Sequence, residues 1–209
     1  MVIKREHGLF ITLEGIEGAG KSTHATYIKE LVQQRGHDCL VTREPGGTGT
    51  GEQIRKILLY KNDLAISPLS ELLLMFAARA QHIAEVILPA LHQGKIVICD
   101  RFTDSSYAYQ GGGRGVDTAC IDKLADIVHP DLEPDITLLF DVSPETGLAR
   151  ARAEKAADRF ESELLSFFHA ARRVFLDRAA AEPERFRIID AERDIDSIRA
   201  DIKSSLQEL

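Results

Sequence analysis

The stretch GLFITLEGIEGAGKST, Gly8–Thr23, decides the fold of this chain. Its first seven residues are mostly apolar and end in an acid, which reads as a buried strand. Gly15-x-x-x-x-Gly20-Lys21-Ser22 follows and runs into a helical pattern, where Ala25, Ile28, Leu31 and Val32 recur at helical spacing and Gly36 supplies the stop. A glycine-rich turn between strand and helix is the setting a phosphate loop requires. Its glycines let backbone N–H groups converge on phosphate oxygens, and the helix start adds partial positive charge. The cradle is therefore expected over Gly15, Ile16, Glu17, Gly18, Ala19, Gly20, Lys21, Ser22 and Thr23, with Lys21 on the β- and γ-phosphates of ATP and the Ser22 hydroxyl on Mg²⁺. One residue does not suit an anion cradle: the carboxylate of Glu17.

Outward from that stretch, apolar runs alternate with helical patterns. DCLVTRE (38–44), KIVICD (95–100), DITLLFDV (135–142) and RFRIID (185–190) read as four more strands. Helices are expected over 51–60, 68–93, 117–129, from Ser143-Pro144-Glu145 onward, up to about 181, and at the chain end. Ser67-Pro68 is an N-cap followed by proline at the first helical position, and Pro89 is expected to kink the last turn of that helix. Strands this apolar, separated by helices, imply a five-stranded parallel sheet covered on both faces, in one α/β domain spanning 1–209. The site of such a sheet lies beyond the carboxyl ends of its strands.

Composition narrows the partners. With 44% hydrophobic and 28% charged residues and a net charge of −7, the chain is globular and has no basic stripe suited to nucleic acid. No run approaches the ~20 apolar residues of a membrane span, and the three cysteines, Cys39, Cys99 and Cys120, lack metal spacing. A cytoplasmic protein with reduced thiols is expected.

The phosphate loop alone does not say what receives a phosphate. The guanine-reading N-K-x-D element is absent, and the third strand ends in Asp100-Arg101, an acid for the Mg²⁺ shell beside a phosphate clamp. Arg43 and Arg55 flank the PGG turn after the second strand, as phosphate or loop organisers. Arg79 interrupts the apolar LLLMFAARAQH; either a partner awaits it or it snorkels, and Met75 and Phe76 can share its face beside a flat base. SSYAYQGGGRG (105–115) offers hydroxyls, an amide and a flexible glycine run for reading a base edge. RARAEKAADRFE (150–161) is either a solvated charged face or a mobile lid bringing cations over phosphates.

Taken in order, LEGIEGAGKST, TREPGGT, LLLMFAARAQH, DRFTDSSYAYQGGGRG, PDITLLFDV and RARAEKAADRFE resemble the thymidylate kinase family over nearly the whole chain. The resemblance implies a P-loop nucleoside monophosphate kinase-like fold with a small lid, and transfer of the ATP γ-phosphate to dTMP with Mg²⁺. It puts Lys21 and Ser22 on ATP and Mg²⁺, and Arg55 and Arg101 on the dTMP phosphate. Arg79 with Gln110 or Ser106 would read the thymine edge, Tyr109 would crowd C2′, and Glu17 would approach the 3′-OH. Phe76, or alternatively Met75, would stack on the base. The loop lacks the arginine of some members and the lid is arginine-rich, as in the bacterial subtype, which nominates Arg150 or Arg152 for catalysis. Members are typically homodimers. Two rivals remain: a kinase for another nucleoside or nucleoside monophosphate, and a nucleotide-binding regulatory switch.

Overall fold

A computed structural model describes residues 8–60, 65–154, 158–161 and 163–207. Five strands, β1 (Phe10–Glu14), β2 (Cys39–Arg43), β3 (Ile96–Asp100), β4 (Ile136–Asp141) and β5 (Phe186–Asp190), form one sheet in the order β2-β3-β1-β4-β5. Every pairing is parallel. The period of two explains why these strands are apolar throughout. Ile11 and Leu13 of β1 and Ile96 and Ile98 of β3 enter one core, while Phe10, Val97 and Cys99 enter the core on the opposite face.

Helix α1 (Lys21–Gln34) buries Ala25, Ile28, Leu31 and Val32, the face expected from its spacing. Gly36 adopts φ +85° just past its end, and its N–H donates to the Gln33 carbonyl. Helix α2 (Gly49–Leu59) is capped by Thr48, and α3 (Pro68–His82) by Ser67 ahead of its first-turn proline. The long helix deviates earlier than expected at its far end. A π-helical turn, Ile83–Ile87, precedes α4 (Leu88–His92), so the irregularity lies before Pro89. A proline cannot donate to the preceding turn, and a wider turn accommodates its ring. The 25 residues Pro68–His92 are long and apolar enough to cross a bilayer by length and mean composition alone. Charged Glu71, Arg79 and Glu85 interrupt them, and Glu71, Arg79 and His82 are buried against hydrogen-bonding partners.

After β3, α5 (Thr103–Ser106) continues into a π-helical segment, Tyr107–Gly113, before α6 (Thr118–Val128). The glycine run is thus ordered rather than a flexible loop. A Cβ on Gly113 would lie 2.3 Å from the Phe167 ring, so the missing side chain permits close packing on α8 (Leu165–Ala181). Asp104, 2% exposed, ties α5 through Arg178 and Arg185 to the last turn of α8 and to the residue before edge strand β5. Helix α7 (Pro144–Glu154) leads from β4 toward the lid, and α9 (Ile195–Ser205) closes the fold.

Candidate active site

The β1–β3 register sets Leu13 opposite Asp100, so the loops leaving both strands emerge side by side. From β1 comes the phosphate loop. Gly20, at φ +83°, caps α1. Gly18, at φ +69°, lies so close to the α7 backbone that a Cβ would sit 1.8 Å from the Gly147 carbonyl oxygen. Lys21 is buried, and its Nζ donates to the Gly15 and Ile16 carbonyls at 2.8 Å each. Burial, then Arg101, pushes its pKa down to about 8. The Ser22 hydroxyl donates to Asp100 Oδ2 at 3.0 Å, while Asp100 Oδ1 is buried with no hydrogen-bond partner. An all-oxygen pair with a free carboxylate oxygen fits a hard divalent cation.

Arg101 leaves β3 with φ +74°, the only non-glycine residue with positive φ among the described residues. Its backbone N–H donates to the Leu13 carbonyl, which fixes the turn to the sheet. Its guanidinium donates to the Gly15 carbonyl at 3.0 Å, Ser105 Oγ at 3.1 Å and Glu17 Oε1 at 2.9 Å. Burial works against this charge, but Tyr109, Glu17, Asp100 and Glu14 together hold its pKa above the ordinary arginine value. Ser105 in turn donates to Glu14, whose carboxyl burial raises to about 7. The second oxygen of Glu17 accepts the Tyr109 hydroxyl at 2.7 Å, and the Arg101 guanidinium lies 4.9 Å from the Tyr109 ring. Glu17 therefore bridges the phosphate loop to Arg101 and Tyr109, both of which line the cavity.

Beyond this bridge a cavity of about 260 Å³ opens, lined by the phosphate loop, Arg43, Arg55, Met75, Arg79, Arg101 and the α5 segment. Arg79 is 2% exposed and does have its partner: Nε donates to Glu44 Oε2 at 2.7 Å, and a terminal nitrogen to Ser106 Oγ at 3.1 Å. Glu44 also bonds His82 Nδ1, whose other ring nitrogen lies 2.6 Å from Thr42 Oγ1. Cys99 completes a cluster of possible metal ligands with Glu44 and His82, but its thiol donates to the Arg101 carbonyl and burial raises its pKa well above the usual value. Every member has a protein partner, which makes the cluster a hydrogen-bonded support for Arg79. Gln110 lines the cavity and donates to the buried carboxylate of Glu71.

Between the two stacking candidates, Met75 lines the cavity and Phe76 does not. The expectation for Phe76 is corrected: its ring is 2% exposed, lies 4.6 Å from the Arg79 guanidinium and stacks on His129 at 6.4 Å. Arg55 donates to the Pro45 carbonyl, and Arg43 pairs with Glu52 rather than with neighbouring Glu44. From the lid, Ala151, Asp158, Phe160 and Glu161 reach the cavity. Arg150 and Arg152 do not line it in this arrangement. Ala151 faces inward, and successive residues on a helix diverge by about 100°. Arg150 accordingly donates to the Ala191 carbonyl and Arg152 is exposed. Lys155, also in that charged run, lies outside the described residues. Sequence reasoning missed Glu71, which lies in none of the motifs, and did not single out Ser105 and Phe160 within the stretches 105–115 and 150–161 that contain them.

A parallel sheet with a phosphate loop, an acid-arginine pair at the end of the adjoining strand and an arginine-lined cavity continuous with the loop defines a P-loop phosphotransferase of the nucleoside monophosphate kinase type. Residues 13–202 match the family model described as Thymidylate kinase. A thymidylate kinase of Pseudomonas fluorescens is 55% identical over 202 residues, covering 97% of this chain and 96% of that protein. One from Hahella chejuensis is 48% identical over 199 residues, covering 95% and 96%. The crystal structure of thymidylate kinase from Ehrlichia chaffeensis superposes with a TM-score of 0.75 at 36% identity, covering 96% of this chain and 98% of the other. The chain belongs to the thymidylate kinase family.

Proposed function

We propose that this enzyme transfers the γ-phosphoryl group of ATP to dTMP, giving ADP and dTDP, with Mg²⁺ held by Ser22 and Asp100. The observation that carries the reading is the Glu17 bridge. One carboxylate in the donor loop holds Arg101 and Tyr109 in a cavity that runs from the phosphate loop to the wall formed by Met75, Arg79 and Gln110. A switch protein has no use for that wall.

Phosphoryl transfer asks little covalent chemistry of the protein, so catalysis is positioning and charge neutralisation. Lys21 and the loop N–H groups grip the donor phosphates, and Mg²⁺, when bound, adds charge beside their oxygens. Arg101 and Arg55 clamp the acceptor phosphate, whose anionic oxygen needs no general base. Met75 covers one face of the thymine, Arg79 with Ser106 and Gln110 meets its edge, and Tyr109 with Glu17 borders the sugar. In this reading the lid brings Arg150 or Arg152 to the transferring group on closure and excludes water. Exposed Ile57 of α2 and Leu69 and Leu73 of α3, on helices that pack together, support a homodimer across that face. The three free thiols suit the reducing cytoplasm.

Coupled measurement of ADP formation with thymidine, dTMP, dUMP and dCMP as acceptors tests the reading. Turnover is expected with dTMP and none with thymidine; phosphorylation of thymidine but not dTMP would overturn it.

A further inference from the structure

We infer that Glu71 is a positioning residue for base selection: it turns the Gln110 amide so that its carbonyl oxygen, not its NH₂ group, faces the base. The inference rests on the dTMP reading above and deepens it. Glu71 lies in the first turn of α3 and is 0% exposed. Its Oε1 accepts from Gln110 Nε2 at 2.9 Å and from Arg114 Nε at 3.3 Å, and its Oε2 accepts from an Arg159 guanidinium nitrogen. A carboxylate between two guanidiniums can only accept. One N–H of Gln110 Nε2 is therefore committed to Glu71, which holds the NH₂ on that side and leaves the amide oxygen for the cavity that Gln110 lines.

Arg79 lies on the same wall and is a pure donor. Donor beside acceptor matches thymine or uracil, which present the O4 acceptor next to the N3–H donor. Cytosine reverses both, with an N4 amino donor next to an N3 acceptor. Rotating the Gln110 amide to suit cytosine would set its oxygen against the buried Glu71 carboxylate, an uncompensated contact between acceptors.

The same carboxylate seats the lid. Arg159 donates from Nε to the Leu58 carbonyl and from its backbone N–H to the Leu59 carbonyl, while its guanidinium terminus holds Glu71. Base orientation and lid seating thus share one buried group.

The test compares kcat/KM for dTMP and dCMP in wild type, Glu71→Gln, Gln110→Leu and the double variant. Glutamine at 71 can donate or accept, so it frees the Gln110 amide to turn. The dTMP-over-dCMP preference should fall at least about tenfold in Glu71→Gln, with kcat/KM for dCMP rising in absolute terms, which a merely structural defect does not produce. In the Gln110→Leu background the same substitution should leave the ratio unchanged. Equal losses for both acceptors, or a further shift of the ratio in the double variant, overturns the inference. If Glu71→Gln does not melt cooperatively, Glu71→Asp keeps the charge but withdraws it from Gln110; it should lower the ratio, and an unchanged ratio counts against the proposal. Wild-type enzyme inactive on dTMP would instead sink the functional reading itself.

Discussion

The donor cradle and the acceptor pocket share one edge of the sheet but are built by opposite means. The cradle is local: nine consecutive residues, Gly15–Thr23, six in the turn after β1 and three in the first turn of α1. The acceptor side is assembled from side chains of β2, α2, α3, β3 and the α5 segment, and its charges are held by long-range partners such as Glu44 for Arg79 and Glu17 for Arg101. A triphosphate is recognised by a shape that backbone alone can provide. Telling one monophosphate from another requires polar side chains in a buried wall, and each must be paired to remain there. Glu17 is where the two constructions meet.

The contrast predicts that acceptor-side changes cost transfer while leaving nucleotide binding comparatively intact. Arg101→Ala removes the clamp and one arm of the Glu17 bridge. It should lower kcat/KM for dTMP by about 10³-fold or more, in line with the loss of a phosphate-directed charge, while ATP affinity measured by calorimetry changes far less. Equal loss of ATP binding would erase the distinction between the two regions. Glu44→Leu leaves Arg79 and its charge buried without a carboxylate. Urea unfolding should show destabilisation of roughly 3–5 kcal/mol, the cost of breaking a buried pair; a loss below about 1 kcal/mol would mean the pair is peripheral.

Removing both Arg150 and Arg152 charges as alanines should reduce kcat by about 10- to 100-fold with dTMP binding nearly intact. Unchanged kcat would mean that their present position, away from the cavity, is their working position. On the donor side, ligand-free Lys21 loses its charge as pH rises through about 8, because burial depresses its pKa. Phosphates favour the charged form, so ATP affinity should decline above that pH by up to about tenfold per unit. The stability effect has the opposite sign. The unfolded lysine stays protonated up to 10.5, so relief of the buried charge raises stability between pH 8 and 10.5. A flat ATP affinity from pH 7 to 9.5 would show that Lys21 is not the group being titrated.

The same contrast governs what the sequence could reveal. The phosphate loop, the strand order of hydrophobicity and the Ser67-Pro68 cap are local patterns, and each formed where expected. Glu44 stands beside Arg43 in the chain but bonds Arg79, 35 residues away, and nothing local announces that exchange. Met75 and Phe76 precede Arg79 by four and three residues, so helical spacing puts both near its face; only the packing of His129 against Phe76 separates them. Glu71 collects Gln110 and Arg114 from one distant segment and Arg159 from another. The lid arginines were legible as a charged run, but the helical phase that turns Ala151 inward was not.

The most direct test of the central claim, that one carboxylate joins a donor site to an acceptor site, is the initial rate of ADP formation from ATP and Mg²⁺ titrated with dTMP. The account predicts a rate that is near zero without dTMP, saturates as dTMP is added and yields one dTDP for each ADP. ADP formation at the same rate with and without dTMP would contradict it.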